Sequence, residues 1–184
     1  MPRRALLLSA LLAIPLCTAA LSLPACSTAQ YADDALPDGA FPSDFWIAVT
    51  VMGPLREGGA AALPRSQRPG RYIIEADWIL RAALGPGARP DVFPAQTRQL
   101  TQAQMYDLWR LLQSTGLSNT ESPLRSFLEP DAKALAGRTV YIVVWHARGR
   151  HRTLLIEGES GDPQAIAEAR KITDAIAALA WIPE

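Results

Sequence analysis

An uncharged apolar run from Ala5 to Leu23 constrains this chain most, because it separates the first residues from the part that can form a globular domain. Arg3 and Arg4 precede the run, and Leu23-Pro24-Ala25-Cys26 ends it. A short positive region, an apolar run and a small residue before a cut are the layout of a secretory signal peptide. We therefore expect residues 1–25 to be removed. That leaves 159 of the 184 residues, enough for one domain with a substantial core.

The residues around the expected cut resemble a bacterial lipobox, with Leu23 at −3, Ala25 at −1 and Cys26 at +1. The resemblance implies that Cys26 carries a lipid and is the mature N-terminus, while Pro24 at −2 departs from the usual pattern. Two alternatives stay open: conventional cleavage after an alanine, and an uncleaved anchor, since the 19-residue run reaches the length of a spanning helix. By resemblance to Gram-negative lipoproteins, Ser27 in place of Asp implies the outer membrane, facing the periplasm.

Cysteine content and charge limit the class of domain that follows. Cys17 would leave with the apolar run, so Cys26 would be alone and no internal disulfide could form. Loss of Arg3 and Arg4 leaves 16 basic and 18 acidic residues, a net charge of −2 that does not point to nucleic acid. No phosphate-binding loop, dinucleotide fingerprint or metal-ligand spacing occurs in the sequence. We therefore predict a domain without a cofactor, held together by its core.

The first mature residues predict a tether followed by a single domain. Residues 26–43 are polar, with scattered Asp, Pro and Gly, and are typical of a flexible linker. The domain is then expected over residues 44–184. Its first element is predicted at 45–51, where aromatic and β-branched residues favour a strand.

A hairpin and two loops are predicted before the first helix. Apolar runs at 71–75 and 78–82 flank Ala76-Asp77, which predicts a hairpin with Asp77 in the left-handed conformation. The stretches Gly53–Gly70 and Gly85–Arg98 are rich in Gly or Pro and lack periodicity, so both are predicted to be mobile loops.

The next segment carries the signals that begin and end a helix. Thr101 and Gln104 have capping-box spacing, and Leu100 can contact Met105 across the cap. Gly116 is expected to end the helix in the left-handed conformation. Helical spacing predicts an apolar face on Met105, Leu108, Trp109 and Leu112.

The last third predicts a hairpin and a second helix. Residues 140–145 are apolar on both faces and favour a central strand, which turns at 147–150 into a strand at 151–157. Asp162 as N-cap and Pro163 as first residue then open a helix. Its buried stripe is predicted to be Ala165, Ala169, Ile172, Ile176 and Leu179. The whole order is β-β-β-α-β-β-α, an α+β class with one antiparallel sheet of about five strands and two helices on one face.

The turn at 147–150 carries the candidate site residues. His146 and His151, the two histidines of the chain, face each other across it, but a zinc site needs further ligands, so no metal is predicted. Arg148, Arg150 and Arg152 make the turn basic, which favours contact with lipid phosphate or an acidic partner. The alternative is a solvated turn that contributes little to stability. No catalytic residue is predicted, because Ser160 lies in a sequence that lacks the last glycine of a nucleophile elbow.

The element order, with Leu100-Thr101-x-x-Gln104 and Tyr141-x-Val143-x-Trp145, resembles small bacterial lipoproteins in which a short antiparallel sheet carries two helices. It resembles more distantly the emfourin type of thermolysin-family protease inhibitor. The likeness covers residues 45–181 in layout, and no inhibitory motif matches residue by residue. With the lipobox and the lack of a catalytic set, it makes an envelope-anchored binding or assembly module with an envelope protein partner the leading expectation. The alternative is an inhibitor of a secreted peptidase, acting through a loop or the 147–150 hairpin.

Overall fold

The structure, a computed structural model, describes residues 40–53, 63–119 and 138–180. These residues belong to one unit, Ala35–Glu184. The signal peptide predicted at 1–25, the lipid site at Cys26 and most of the tether lie outside the described residues. Among the helices that are described, none is long and apolar enough to cross a membrane.

Six strands form one antiparallel sheet, ordered β4-β3-β2-β1-β5-β6. The strands are β1 (Trp46–Met52), β2 (Gly70–Ile74), β3 (Ile79–Leu84), β4 (Gln96–Gln99), β5 (Val140–Ala147) and β6 (Arg150–Glu157). The helices are α1 (Gln102–Gln113) and α2 (Pro163–Ala180), with single 3-10 turns at Arg65–Gln67 and Gly116–Ser118. The α+β class and the antiparallel sheet are confirmed, with one strand more than predicted.

The additional strand is β4, which lies at the end of the stretch predicted to be a loop. Gln96–Gln99 is polar and four residues long, and its register with β3 is irregular between Leu80 and Arg81. A short polar strand at a sheet edge has no apolar face to alternate, so hydrophobic patterning does not reveal it. The prediction of a loop over all of Gly85–Arg98 was therefore wrong at its C-terminal end.

The β2–β3 hairpin is confirmed, but the left-handed residue is Trp78, with φ of 70°, and not Asp77. The amide of Trp78 donates to the carbonyl of Glu75 over 2.9 Å, and the amide of Glu75 donates to Ile79 over 2.9 Å. This is a three-residue hairpin loop, in which a turn is followed by one left-handed residue. Asp77 contributes through its side chain instead, since Oδ1 accepts from the amide of Ile79 at 3.3 Å.

Helix α1 begins as predicted and ends differently. Thr101 Oγ1 accepts from the amide of Gln104 at 3.3 Å, and Gln104 Oε1 accepts from the amide of Thr101 at 2.9 Å, which confirms the capping box. The C-cap is Ser114, in a right-handed conformation. Gly116, predicted to end the helix, instead begins the 3-10 turn Gly116–Ser118 without a positive φ.

Helix α2 begins at Pro163, and Asp162 Oδ1 accepts from the amide of Gln164 at 3.0 Å, which confirms the predicted cap. Leu179 is only partly buried, and Ala180 is fully buried in its place. Both helices pack on one face of the sheet, because one core cluster unites them with alternate strand residues. That cluster includes Ile47, Val49, Tyr72, Ile74, Leu80, Met105, Leu112, Tyr141, Val143, Leu154, Ala169, Ile172 and Ile176.

The opposite face of the sheet, called the outer face below, is formed by the intervening strand residues. Cross-strand pairing sets side by side Val144, Ala48, Ile73 and Arg81, and in the next row Ile142, Thr50, Arg71 and Ala83. Val140 and Ile142 form a small apolar cluster there with Met52, Val144 and Leu155. Strand β5 is thus apolar on both faces and lies inside the sheet, as predicted. The β5–β6 turn and the paired strands β2 and β3 both contribute side chains to the outer face.

Candidate functional site

The first region is the tight turn between β5 and β6. Arg148 and Gly149 both have positive φ, 53° and 68°, which is the conformation of a two-residue hairpin that matches the twist of its strands. The Asp44 carboxylate holds this turn: Oδ1 accepts from the amide of Arg148 at 2.8 Å, and Oδ2 accepts from the amide of Gly149 at 2.7 Å. These bonds stabilise a left-handed arginine that would otherwise be strained.

The same carboxylate contacts the imidazole of His146, with 3.1 Å between Nε2 and Oδ2. His146 lies opposite His151 in the register, as predicted, and their ring centroids are 6.3 Å apart. Trp46 stacks on His146, with centroids 6.1 Å apart and planes 7° apart, and also contacts the ring of His151. Across residues 40–53, 63–119 and 138–180, no three His, Cys, Asp or Glu side chains are grouped to hold a metal ion.

The electrostatics of Asp44 follow from these contacts. Partial burial alone would raise the pKa of its carboxyl group. The hydrogen bonds from the amides of Gly149 and Arg148 outweigh that effect, and with the nearby His146 they hold the pKa of Asp44 below its ordinary value. Asp44 is therefore a charged brace for the turn, and its oxygens are occupied.

The three arginines predicted to form a basic hairpin surface have different environments. Arg148 donates from Nη2 to the carbonyl of Ala40 at 3.3 Å, and its guanidinium lies 5.8 Å from the Trp109 ring centroid. Arg150 is exposed. Arg152 is only 8% exposed and donates to the carbonyl of Asn119, and burial lowers its pKa. The expectation of a solvated turn was therefore wrong for Arg152, because strand alternation directs residue 152 toward the helix side of the sheet.

The second region lies on the outer face at β2 and β3. Arg71 is half-buried, and its Nη1 donates to Thr50 Oγ1 at 2.6 Å. Its Nε is buried and has no hydrogen-bond partner. Burial lowers the pKa of Arg71, and the negative charge of Asp91 opposes this effect. No ion pair joins Arg71 to any carboxylate of the described residues. A guanidinium removed from water without an anion is energetically unfavourable.

An exposed aromatic side chain lies against Arg81, which is diagonal to Arg71 in the β2–β3 register. The Arg81 Cζ atom is 4.5 Å from the ring centroid of Phe93, and Arg81 Nε is 2.9 Å from Glu75 Oε2. Phe93 is 65% exposed, and its neighbour Val92 is 36% exposed. Both belong to the loop 85–95, which β3 and β4 hold at its two ends. We call Thr50, Arg71, Arg81 and Phe93 the Arg71 surface.

Sequence reasoning did not identify the Arg71 surface. Thr50 and Arg71 are polar residues within otherwise apolar runs, and that interruption was the available signal. Their contact depends on the pairing of Thr50 with Arg71 across β1 and β2, and the sequence does not fix that register.

A shallow apolar groove lies between the two helices, away from both regions. Its volume is about 330 Å³. The residues that line it are Gln104, Asp107, Leu108, Leu111, Ala175 and Leu179. The groove offers apolar contact and no pair of groups suited to acid–base chemistry.

No protein-family model matches this chain, and no curated protein matches its sequence.

Proposed function

We propose that this protein is a bacterial lipoprotein, anchored through Cys26 to the outer membrane on its periplasmic side, and that its domain is a non-enzymatic binding or assembly module. The sequence features of residues 1–26 support the anchor. The Arg71 surface supports the binding role, and the observation that carries it is the half-buried Arg71 guanidinium without an anion. Groups left unsatisfied in the free protein are the ones that gain most from a partner.

The turn region supports a structural rather than a catalytic role for its ionisable groups. Asp44 is bonded to two backbone amides and to His146, so its oxygens are already used. The His151 ring contacts the rings of Trp46 and His146, and its Nε2 lies 3.5 Å from Thr153 Oγ1.

Metabolic labelling with a palmitate analogue tests the anchor. We expect label on the wild-type protein and none on Cys26→Ser. Label that persists in the variant contradicts lipidation at Cys26.

Recovery of a partner from the native envelope tests the binding role. The full-length wild-type protein is compared with Arg71→Gln/Phe93→Ser and with the control Arg110→Gln, which removes an exposed arginine of α1. We expect a protein that co-purifies with the wild type and the control and is lost with the double variant. No partner, together with turnover in a panel of hydrolase substrates, contradicts the proposal.

An inhibitor of a secreted peptidase is the second candidate, favoured by the exposure of Phe93 and Val92 on a loop held between two strands. A tethered loop with exposed apolar side chains can occupy a protease cleft without large entropic loss. We expect stoichiometric slowing of a thermolysin-like enzyme by the full-length protein, reduced in Phe93→Ser. Cleavage within 85–95 without inhibition contradicts this function.

A further inference from the structure

We propose that Arg71 binds a carboxylate of a protein partner, presented by an acidic residue next to an apolar one. This inference rests on the proposed binding function and specifies the chemistry of the partner. It follows from three features of the Arg71 surface: the state of the guanidinium, the charges around it and the exposed ring beside it.

The guanidinium of Arg71 is held in position but lacks an anion. Thr50 is 1% exposed and lies on a central strand, so the bond from Arg71 Nη1 to its hydroxyl fixes one side of the guanidinium. The other edge, Nε and Nη2, is the edge on which arginine binds carboxylates in a bidentate manner. Nε has no hydrogen-bond partner and is closed to solvent in the free protein, so a carboxylate would approach this edge from Nη2.

Other arginines near this surface are already paired. Arg81 is paired with Glu75, with 2.9 Å between the nearest atoms, and Arg89 is paired with Asp91 at 3.2 Å. Arg71 has no such ion pair with a carboxylate of the described residues, although it is half-buried. Asp91 offsets part of the cost of burying Arg71, and a ligand carboxylate would supply a direct partner.

The surrounding charges favour a carboxylate over a phosphate. Asp91 lies close enough to affect the titration of Arg71, so a second negative charge here meets some repulsion. A carboxylate carries one charge, whereas a phosphate monoester carries about −1.5 to −2 at neutral pH.

Phe93 places an apolar surface beside the bound anion. Arg81 is diagonal to Arg71 in the β2–β3 register, a spacing of about 7–8 Å between such positions, and its guanidinium lies against the Phe93 ring. A partner that inserts a carboxylate at Arg71 would therefore cover Phe93 with a neighbouring residue. An exposed aromatic next to a desolvated charge has the character of an interface hot spot.

Side-chain NMR of the full-length protein, labelled with ¹⁵N arginine, tests this site. The probe is the blocked dipeptide acetyl-leucyl-glutamyl amide, with the glutaminyl peptide as neutral control and inorganic phosphate at matched ionic strength as the alternative anion. We expect a saturable shift of the Arg71 Nε–H signal with the glutamyl peptide and none with the glutaminyl peptide. Binding should weaken at least about tenfold in Arg71→Gln and stay unchanged in Arg110→Gln, which removes an exposed arginine of α1.

A second variant covers the case in which Arg71→Gln fails to fold. Arg71→Lys keeps the charge but not the planar fork, and it should also bind the glutamyl peptide more weakly than wild type. No shift with the glutamyl peptide, equal binding by Arg71→Lys, or tighter binding of phosphate overturns the proposal. A partner from the envelope that binds wild type and Arg71→Gln equally overturns the carboxylate site and leaves the binding function in place. Loss of palmitate labelling alone does not affect the Arg71 result.

Discussion

Charged side chains at the two ends of the outer face differ in how completely they are hydrogen-bonded. At the β5–β6 turn, Asp44 contacts two backbone amides and His146, and Arg148 donates to Ala40. At β2 and β3, Arg71 has one hydroxyl partner and a buried Nε without any. The difference predicts that the turn charges stabilise the fold, whereas Arg71 contributes little to stability in the free protein or lowers it. Substitutions in the two regions should therefore have different effects.

The largest effect is expected at Arg152, the buried arginine of the hairpin. Arg152→Gln should lower the free energy of unfolding by about 1–3 kcal/mol, since the Asn119 carbonyl loses its charged donor. Arg150→Gln, on the exposed neighbour of the same strand face, should change it by less than about 0.5 kcal/mol. Urea unfolding of both variants measures the difference. Equal effects would show that burial of Arg152 does not matter energetically.

Removal of the Asp44 brace should have the next largest effect. Asp44→Ala leaves the amides of Arg148 and Gly149 to solvent, a change similar to the loss of a helix cap, which costs about 1 kcal/mol. The carboxylate is 37% exposed, so solvent screening keeps the effect at this level. Hydrogen exchange at the amides of residues 148 and 149 should accelerate at the same time. Unchanged exchange there contradicts the role of Asp44 as a brace.

The acid dependence of stability should report the same brace. The pKa of Asp44 is lowered in the folded state, so its contribution is present above the ordinary carboxyl pKa, about 3.9, and is lost as pH falls through the lower folded value. Hydrogen bonds from Ser160 and Arg138 also lower the pKa of Glu157, so the contribution of Glu157 to stability changes in the same pH range. The measurement is therefore the difference between wild type and Asp44→Asn, which should shrink with acidification. A difference in the free energy of unfolding between wild type and Asp44→Asn that does not change with pH contradicts the role of Asp44 as a brace.

The smallest effect is expected at Arg71, and it tests the other half of the comparison. Arg71→Met should leave the free energy of unfolding within about 0.5 kcal/mol of wild type or raise it, because a desolvated, unpaired cation is removed. Chemical denaturation measures it alongside Arg81→Met, which breaks an ion pair with Glu75. If Arg71→Met lowers the free energy of unfolding by about 2 kcal/mol or more, Arg71 stabilises the fold and does not differ from Asp44 in this respect.

Sequence reasoning succeeded where the decisive contacts are local. The capping box joins Thr101 to Gln104, and the α2 cap joins Asp162 to Gln164, so each signal lies within four residues. The β5–β6 turn was found for the same reason, since its residues are adjacent in the sequence.

The missed features depend on partners that are distant in the sequence. Asp44 contacts a turn that begins 104 residues later, and Arg71 meets Thr50 only through the strand register. Strand β4 carries no apolar alternation, and Trp78 adopts its left-handed conformation because of the hairpin loop length and not its side chain. The sequence therefore predicts the general plan of the fold, but it does not predict the contacts of Asp44 and Arg71.

Because β1 lies inside the sheet, one of its two partner strands is synthesised much later than β1 itself. Strand β1 is the first of the described strands to be made, yet it lies between β2 and β5, and Trp46 pairs with His146, one hundred residues later. A chain that has emerged only as far as α1 has β2, β3 and β4 but leaves one edge of an apolar seven-residue strand unpaired. Such an edge is a template for intermolecular pairing until the last hairpin arrives. We therefore expect a product truncated before Val140 to aggregate.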